Sequence, residues 1–172
     1  MDWEQRQEVI IGNYGEDIVS SCLEKYGFIV YRTNTNKSHP IDMICIDDKD
    51  VEMYFEVKTK PRRFAHEDTG IDIHSWNRYI NFLKLHDKTI YIYFVDEFEE
   101  SIYYLNLNNI YKKKKFTINE EDNICYFNLN DMKLSKRLTL IEILKFKLLR
   151  LELNHPIKQY DKYKNLPRYF YN

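Results

Sequence analysis

The sequence predicts an α/β fold: a mixed central β-sheet flanked by helices, with a helical C-terminal extension. Short runs rich in β-branched and aromatic residues alternate with stretches whose apolar residues recur every three to four positions. One run, Thr89–Val95 (TIYIYFV), is apolar almost throughout, as a strand buried on both faces must be. The chain has 172 residues, 44% of them hydrophobic and 16% aromatic, with only 4 Gly and 4 Pro. That is enough to bury a sizeable core and too few linkers for several units, so one compact domain is expected.

From about Glu4 to Tyr26, residues Ile11, Tyr14, Ile18, Cys22 and Tyr26 fall at helical steps, and Gly27 ends the helix. At about 100° per residue, Glu16 lies on the border of that apolar face, where a carboxylate can reach round to an adjacent sheet. Asp17 points to solvent. Phe28–Tyr31 reads as a short strand and Arg32 to His39 as a polar loop. Ile41–Ile46 and Val51–Lys60 then flank Asp47-Asp48-Lys49-Asp50, a turn cluster that makes the two runs a hairpin. Within VEMYFEVKTK, Met53, Phe55, Val57 and Thr59 share one face, and Glu52, Tyr54, Glu56, Lys58 and Lys60 share the other. Glu56 and Lys58 are thus roughly 7 Å apart and can share one phosphate-sized ligand. Asp42, opening the preceding strand beside the His39-Pro40 corner, can sit across from them.

Two carboxylates with a lysine are what phosphodiester hydrolysis needs. The carboxylates hold a hard divalent cation through oxygen, and the ammonium offsets charge or orients the nucleophile. Pro40-Ile41-Asp42 followed by Glu56-Val57-Lys58 resembles the PD-(D/E)XK nuclease family, with its restriction-endonuclease-like fold and its Holliday-junction resolvase-type members. One departure is visible: Ile41 separates Pro40 from Asp42, which the family motif has adjacent. The resemblance implies a metal-dependent nuclease acting on DNA in the first place. In it Asp42, Glu56 and the Val57 backbone carbonyl bind Mg²⁺ or Mn²⁺. Lys58 orients or activates water and stabilises developing charge, and Glu16, with Asp17 as fallback, supports the metal. A catalytically silent nucleic-acid-binding or protein-interaction module on the same fold is the alternative, and RNA as substrate stays open. The order of elements extends the resemblance to about residue 107. Residues 1–107 are therefore expected to form the core, and 108–172 an extension packed on the same domain.

Beyond the hairpin, Lys60, Arg62 and Arg63 form a basic loop suited to flanking phosphates. Ala65 to Ile73 reads as a long loop. Ser75 is the expected cap of a helix through His86, with Trp76, Tyr79, Ile80 and Leu83 as its apolar stripe and His74 beside its start. After Thr89–Val95, the acidic turn Asp96–Glu100 leads into the strand Ile102–Leu105. Lys112, Lys113, Lys114 and Lys115 read as a basic loop for nucleic acid, and Ile124–Phe127 as a further strand. A helix is expected from about Asp131 to Leu153, with Leu134, Leu138, Ile141, Leu144, Leu148 and Leu151 as its apolar face, widened by Leu140, Ile143 and Leu149. That face either covers the sheet or pairs with a second copy in a homodimer. The tail, Asn154 to Asn172, interleaves basic and aromatic residues, which can follow a nucleic-acid strand or tether the tail to the body.

Net charge is −1, but acidic residues are in excess over 1–100 and basic residues over 101–172. The basic half could grip a phosphate backbone that the acidic half cleaves. Cys22, Cys45 and Cys125, odd in number and set among apolar neighbours, read as buried thiols rather than a disulfide framework or a zinc site. No apolar run reaches the length of a membrane span, and MDWEQRQE is too polar for a signal peptide. A cytoplasmic protein is expected.

Overall fold

A computed structural model describes residues 7–33, 41–63 and 66–153. The His39-Pro40 corner and the tail Asn154–Asn172 lie outside the described residues. The elements are α1 (Gln7–Lys25), β1 (Ile29–Arg32), β2 (Met43–Ile46), β3 (Glu52–Thr59), β4 (Asp68–Asp72), α2 (Ile73–His86), β5 (Thr89–Asp96) and β6 (Ser101–Asn106). They continue with α3 (Leu107–Lys113), β7 (Thr117–Asn119), β8 (Ile124–Asn128), β9 (Lys133–Arg137) and α4 (Leu140–Glu152).

Six strands form the central sheet in the order β1-β2-β3-β5-β6-β9, and β4-β8-β7 form a second, smaller one. The large sheet is mixed, because β3 and β5 run parallel while its other pairs are antiparallel. As expected, β5 lies inside the sheet. Its Tyr93 and Val95 face a core shared with α1 and α4, and its Ile90, Ile92 and Phe94 face one shared with α2, α3 and the small sheet. A strand read by both layers cannot alternate polar with apolar, which is why TIYIYFV does not.

Helix α1 buries Ile11, Tyr14, Ile18 and Cys22 as expected, with Val19 and Leu23 beside them. Tyr26, past the helix end, is exposed instead. Gly27 stops the chain at φ 88°, a conformation only glycine adopts freely. Asp47 closes the β2–β3 hairpin: its Oδ1 accepts from the amides of Lys49 and Val51, both at 2.9 Å, while Asp50 takes φ 59°. All three cysteines are free and buried. No helix among the described residues is long and apolar enough to cross a membrane.

Further expectations are corrected. Arg32 ends β1 rather than opening a loop. Asp68–Asp72, read as loop, is strand β4, where β8 approaches so closely that a Cβ on Gly70 would lie 2.5 Å from the Cys125 carbonyl oxygen. The cap of α2 is Asp72, whose side chain accepts from the Ser75 amide at 2.7 Å. The expected helix from Asp131 is a short 3₁₀ turn, then strand β9 on the edge of the sheet, then α4 with a capping box between Thr139 and Glu142. Of the expected apolar face of α4, only the widening residues Ile143 and Leu149 meet the core. Ile143 and Phe146 pack on α1, with Phe146 edge-on to Tyr14 at 4.6 Å between centroids, while Ile141, Leu144, Leu148 and Leu151 are exposed. Arg150 fixes that rotation by pairing with Glu97, whose side chain is only 2% exposed.

Helix α1 lies so close on β3 that a Cβ on Gly15 would overlap Thr59 Oγ1 and lie 3.1 Å from Thr59 Cβ, whereas nothing lies within 4 Å of one on Gly12. Helix propensity alone favours alanine over glycine by about 1 kcal/mol at either position. At Gly15 the overlap with a β-branched side chain whose Oγ1 is buried outweighs it, as overpacking costs ~1–3 kcal/mol. Thermal melting should therefore rise for Gly12→Ala and fall for Gly15→Ala. Equal shifts of one sign would mean that the two helix faces meet the sheet alike.

Candidate functional site

The register that pairs Met43 with Phe55 sets Asp42 opposite Glu56 one step further along. The Asp42 amide donates to the Phe55 carbonyl at 3.1 Å, and the Val57 amide donates to Asp42 Oδ2 at 2.7 Å. A backbone donor thus aims one carboxyl across the hairpin at the strand that carries the other. On that strand, period-two alternation turns Glu56 and Lys58 away from α1 and toward α2. Glu56 is 3% exposed. Its Oε1 accepts from Lys58 Nζ at 2.5 Å and from the Tyr79 hydroxyl at 2.6 Å.

The other Glu56 oxygen, Oε2, is buried and has no hydrogen-bond partner. Burial, and next the Glu56 carboxylate beside it, push the Asp42 carboxyl up to about 7, against the lowering effect of the Val57 amide. Two carboxyls removed from water and crowded together gain most from a cation between them. For Lys58, burial works against its charge, but Glu56, Tyr79 and Asp42 outweigh it and hold the amine above the ordinary lysine range. Lys58 is therefore held as a cation that donates to Glu56.

Glu16 sits on α1 with its side chain 16% exposed, and Asp17 beside it is 54% exposed, as their helix angles require. Arg32, at the end of β1 and paired with Met43, binds Glu16 at 2.9 Å and Asp17 at 2.5 Å. Burial and the neighbouring Asp42 raise the Glu16 carboxyl, while Arg32 and Lys58 lower it. Glu16 thus reaches the electrostatic field of the hairpin with its carboxylate held by Arg32. Accordingly, among the described residues no three acidic, histidine or cysteine side chains converge as a ready-made metal cage. The donors nevertheless fit a hard divalent cation. They are oxygen only, two are carboxylates, and one buried oxygen lacks any other partner.

The basic residues are placed differently from the sequence reading. Lys60 turns inward to the Gly70 carbonyl at 2.6 Å, and burial followed by the Lys58 charge lowers its amine. Arg62 pairs with Glu99 at 2.8 Å. Arg63 forms two bonds to Asp68 and lies 3.7 Å over the Tyr126 ring. Each of the three would have to leave a partner within the chain to meet a phosphate. Lys112 and Lys113 form the last turn of α3 rather than a loop, and Lys114 caps it at φ 53°. They are exposed, while Lys115 pairs with Asp131. His74 is exposed at the start of α2. Arg32 and Tyr79 were not singled out from the sequence. Arg32 reads as loop and Tyr79 as one more apolar residue of a helix stripe; only the packing of β1 beside α1 and of α2 on the hairpin gives their polar ends partners.

No family model matches the chain. Over 89 residues, 49% of its length, it is 36% identical to a UPF0102 protein of Clostridium perfringens strain 13 / Type A, of which it covers 72%. A second UPF0102 protein, from C. perfringens strain SM101 / Type A, is 35% identical over the same length. Among solved structures, Hjc of Archaeoglobus fulgidus, a Holliday junction resolvase from an archaeal hyperthermophile, is similar in fold. The TM-score is 0.50 at 12% identity, covering 68% of this chain and 88% of that one.

Proposed function

This chain belongs to the UPF0102 family, and from its site we propose that it is a metal-dependent nuclease that hydrolyses phosphodiester bonds, DNA in the first place. The observation that carries this reading is Glu56 Oε2, buried and bare beside Asp42, with the Lys58 ammonium on the other oxygen of the same carboxylate. The likeness in fold to a resolvase supports it. So does the order of Glu16, Asp42, Glu56 and Lys58 along the chain, which is that of the PD-(D/E)XK type.

Asp42, Glu56 and the Val57 carbonyl would hold Mg²⁺ or Mn²⁺, and Glu16 would support it. When bound, such an ion polarises the phosphoryl group and lowers the pKa of water. Lys58 would orient or activate the attacking water and offset charge that develops on phosphoryl oxygen. Arg32 keeps the Glu16 carboxylate on the hairpin side of α1. Lys112, Lys113 and Lys114 are the exposed cations proposed to meet the backbone of the nucleic acid.

The test is incubation of the purified protein, with Mg²⁺ or Mn²⁺ and with chelator, on linear duplex, plasmid, single-stranded and four-way-junction DNA and on RNA. Metal-dependent cleavage of any member supports the nuclease and names its substrate class. Binding without cleavage, equal with and without metal, supports the silent module instead.

A homodimer is part of the proposal. The exposed stripe Ile141, Leu144, Leu148 and Leu151 has the same spacing read in either direction, so a second copy can lie antiparallel on it about a two-fold axis. Sedimentation at micromolar concentration should give twice the chain mass, reduced to one by Leu144→Glu. A monomeric wild type would remove the dimer from the reading.

A further inference from the structure

Resting on the metal-site reading above, we infer that Tyr79 is a positioning residue that holds Glu56 so that one carboxylate oxygen stays free for the metal. Both donors to Glu56, the Tyr79 hydroxyl and Lys58 Nζ, converge on Oε1. Oε2 receives none, although it is equally cut off from water. A carboxylate free to turn would share its donors between both oxygens. This one is tethered at a single atom, which leaves the other bare.

The two tethers are not equivalent. Tyr79 is 2% exposed, on the face of α2 that also buries Trp76 and Ile80. Its ring is locked by packing and its hydroxyl has two torsions to define it. Helix α2 is itself fixed at its start, where Asp72 both ends β4 and caps the helix through the Ser75 amide. Lys58 has four rotatable bonds and a side chain that is 30% exposed. It can leave Glu56 for a phosphate, and when it does Tyr79 alone keeps Oε1 occupied. The division of labour is then clear: Lys58 serves the substrate and Tyr79 serves the ligand geometry. Hydrogen bonds that orient metal ligands are typically worth 10–100-fold in affinity.

The experiment is calorimetric titration of the full chain with Mn²⁺ at one pH, for wild type, Tyr79→Phe, Lys58→Met and Asp42→Asn, with melting temperatures of the metal-free proteins alongside. Tyr79→Phe keeps the buried ring and removes only the hydroxyl. It should weaken Mn²⁺ binding about 10-fold or more. Cleavage by this variant should recover as Mn²⁺ is raised, because the ligand is mispositioned and not lost. Lys58→Met should bind Mn²⁺ at least as well as wild type, since it removes a positive charge and leaves Tyr79 in place. If Tyr79→Phe binds Mn²⁺ as wild type does and only its melting temperature moves, Tyr79 merely fills the core and the inference is wrong, while the metal-site reading stands. A loss confined to Lys58→Met also overturns it. If wild type takes up no Mn²⁺, or Asp42→Asn takes up as much as wild type, the metal site itself fails and the inference with it.

Discussion

Asp42→Asn should abolish divalent-metal binding and lower the rate of phosphodiester cleavage by roughly three orders of magnitude, since it removes a ligand and with it the ion that activates water. The substitution is nearly isosteric, and the amide oxygen can still accept from the Val57 amide that now holds Asp42 Oδ2 at 2.7 Å. The hairpin should therefore survive, and loss of activity will not reflect loss of fold. A second readout follows from the crowding of the two carboxyls. Asp42 is raised from 3.8 to about 7 in the folded chain. Across that interval the folded state binds more protons than the unfolded state, so metal-free wild type should lose stability as pH rises from about 4 to about 7. The Asp42→Asn variant should show a flatter profile there, measured by denaturant midpoints at pH 5 and pH 7.5. Mn²⁺ should oppose the loss in wild type, because it binds the ionised pair and releases a proton as it does so. An unchanged pH profile in Asp42→Asn would mean that the buried proton resides elsewhere.

Lys58→Ala should cost ~10²–10³-fold in cleavage, the usual loss when one preorganised donor to a developing anion is removed. Mn²⁺ binding should be retained, because Lys58 touches Glu56 Oε1 and not the bare oxygen. The pair of variants thus separates two roles within one hairpin: Asp42 loses metal and rate together, Lys58 loses rate alone. Single-turnover cleavage at saturating Mn²⁺ makes the comparison. If Lys58→Ala cleaves within a few fold of wild type, the ammonium is only the structural counter-ion of a buried glutamate.

Where local pattern decides structure, the sequence was readable. The β2–β3 hairpin follows from a turn cluster between two alternating runs, and that alternation alone puts Glu56 and Lys58 on one face. The border position of Glu16 follows from its angle on α1, and its 16% exposure beside the 54% of Asp17 matches that angle. The region after β6 was less legible. Leu134 and Leu138 continue the helical spacing of α4 backward and so hid β9, which exists because β6 offers an open edge to Lys133–Arg137. A usable signal was present at Thr139-Leu140-Ile141-Glu142, the S/T-x-x-E pattern of a capping box, which starts the helix after the strand. Strand β4 carried no such signal. Asp68-Thr69-Gly70-Ile71-Asp72 is a strand because β8 lies against Gly70, a contact that links residues more than fifty positions apart.

The candidate site divides along the same line. Residue types and period-two spacing bring forward Asp42, Glu56 and Lys58 as candidates. The partners that tune them, Arg32 on Glu16 and Tyr79 on Glu56, come from a neighbouring strand and a neighbouring helix, and nothing in their own sequence surroundings sets them apart. The basic residues after β3 mislead for the same reason. A run of Lys and Arg looks available in sequence, yet Gly70, Glu99 and Asp68 each take one of them.

The most direct measurement is the cleavage of plasmid and four-way-junction DNA by purified wild type in Mn²⁺, with Asp42→Asn and a chelator control run in parallel. Nicked, linear or resolved products from wild type, absent in both controls, are the expected result. Products that persist with chelator or with the Asp42→Asn variant, or an absence of products from a wild type that binds the same DNA without metal, would contradict the assignment of Asp42 and Glu56 as a metal-dependent hydrolytic centre.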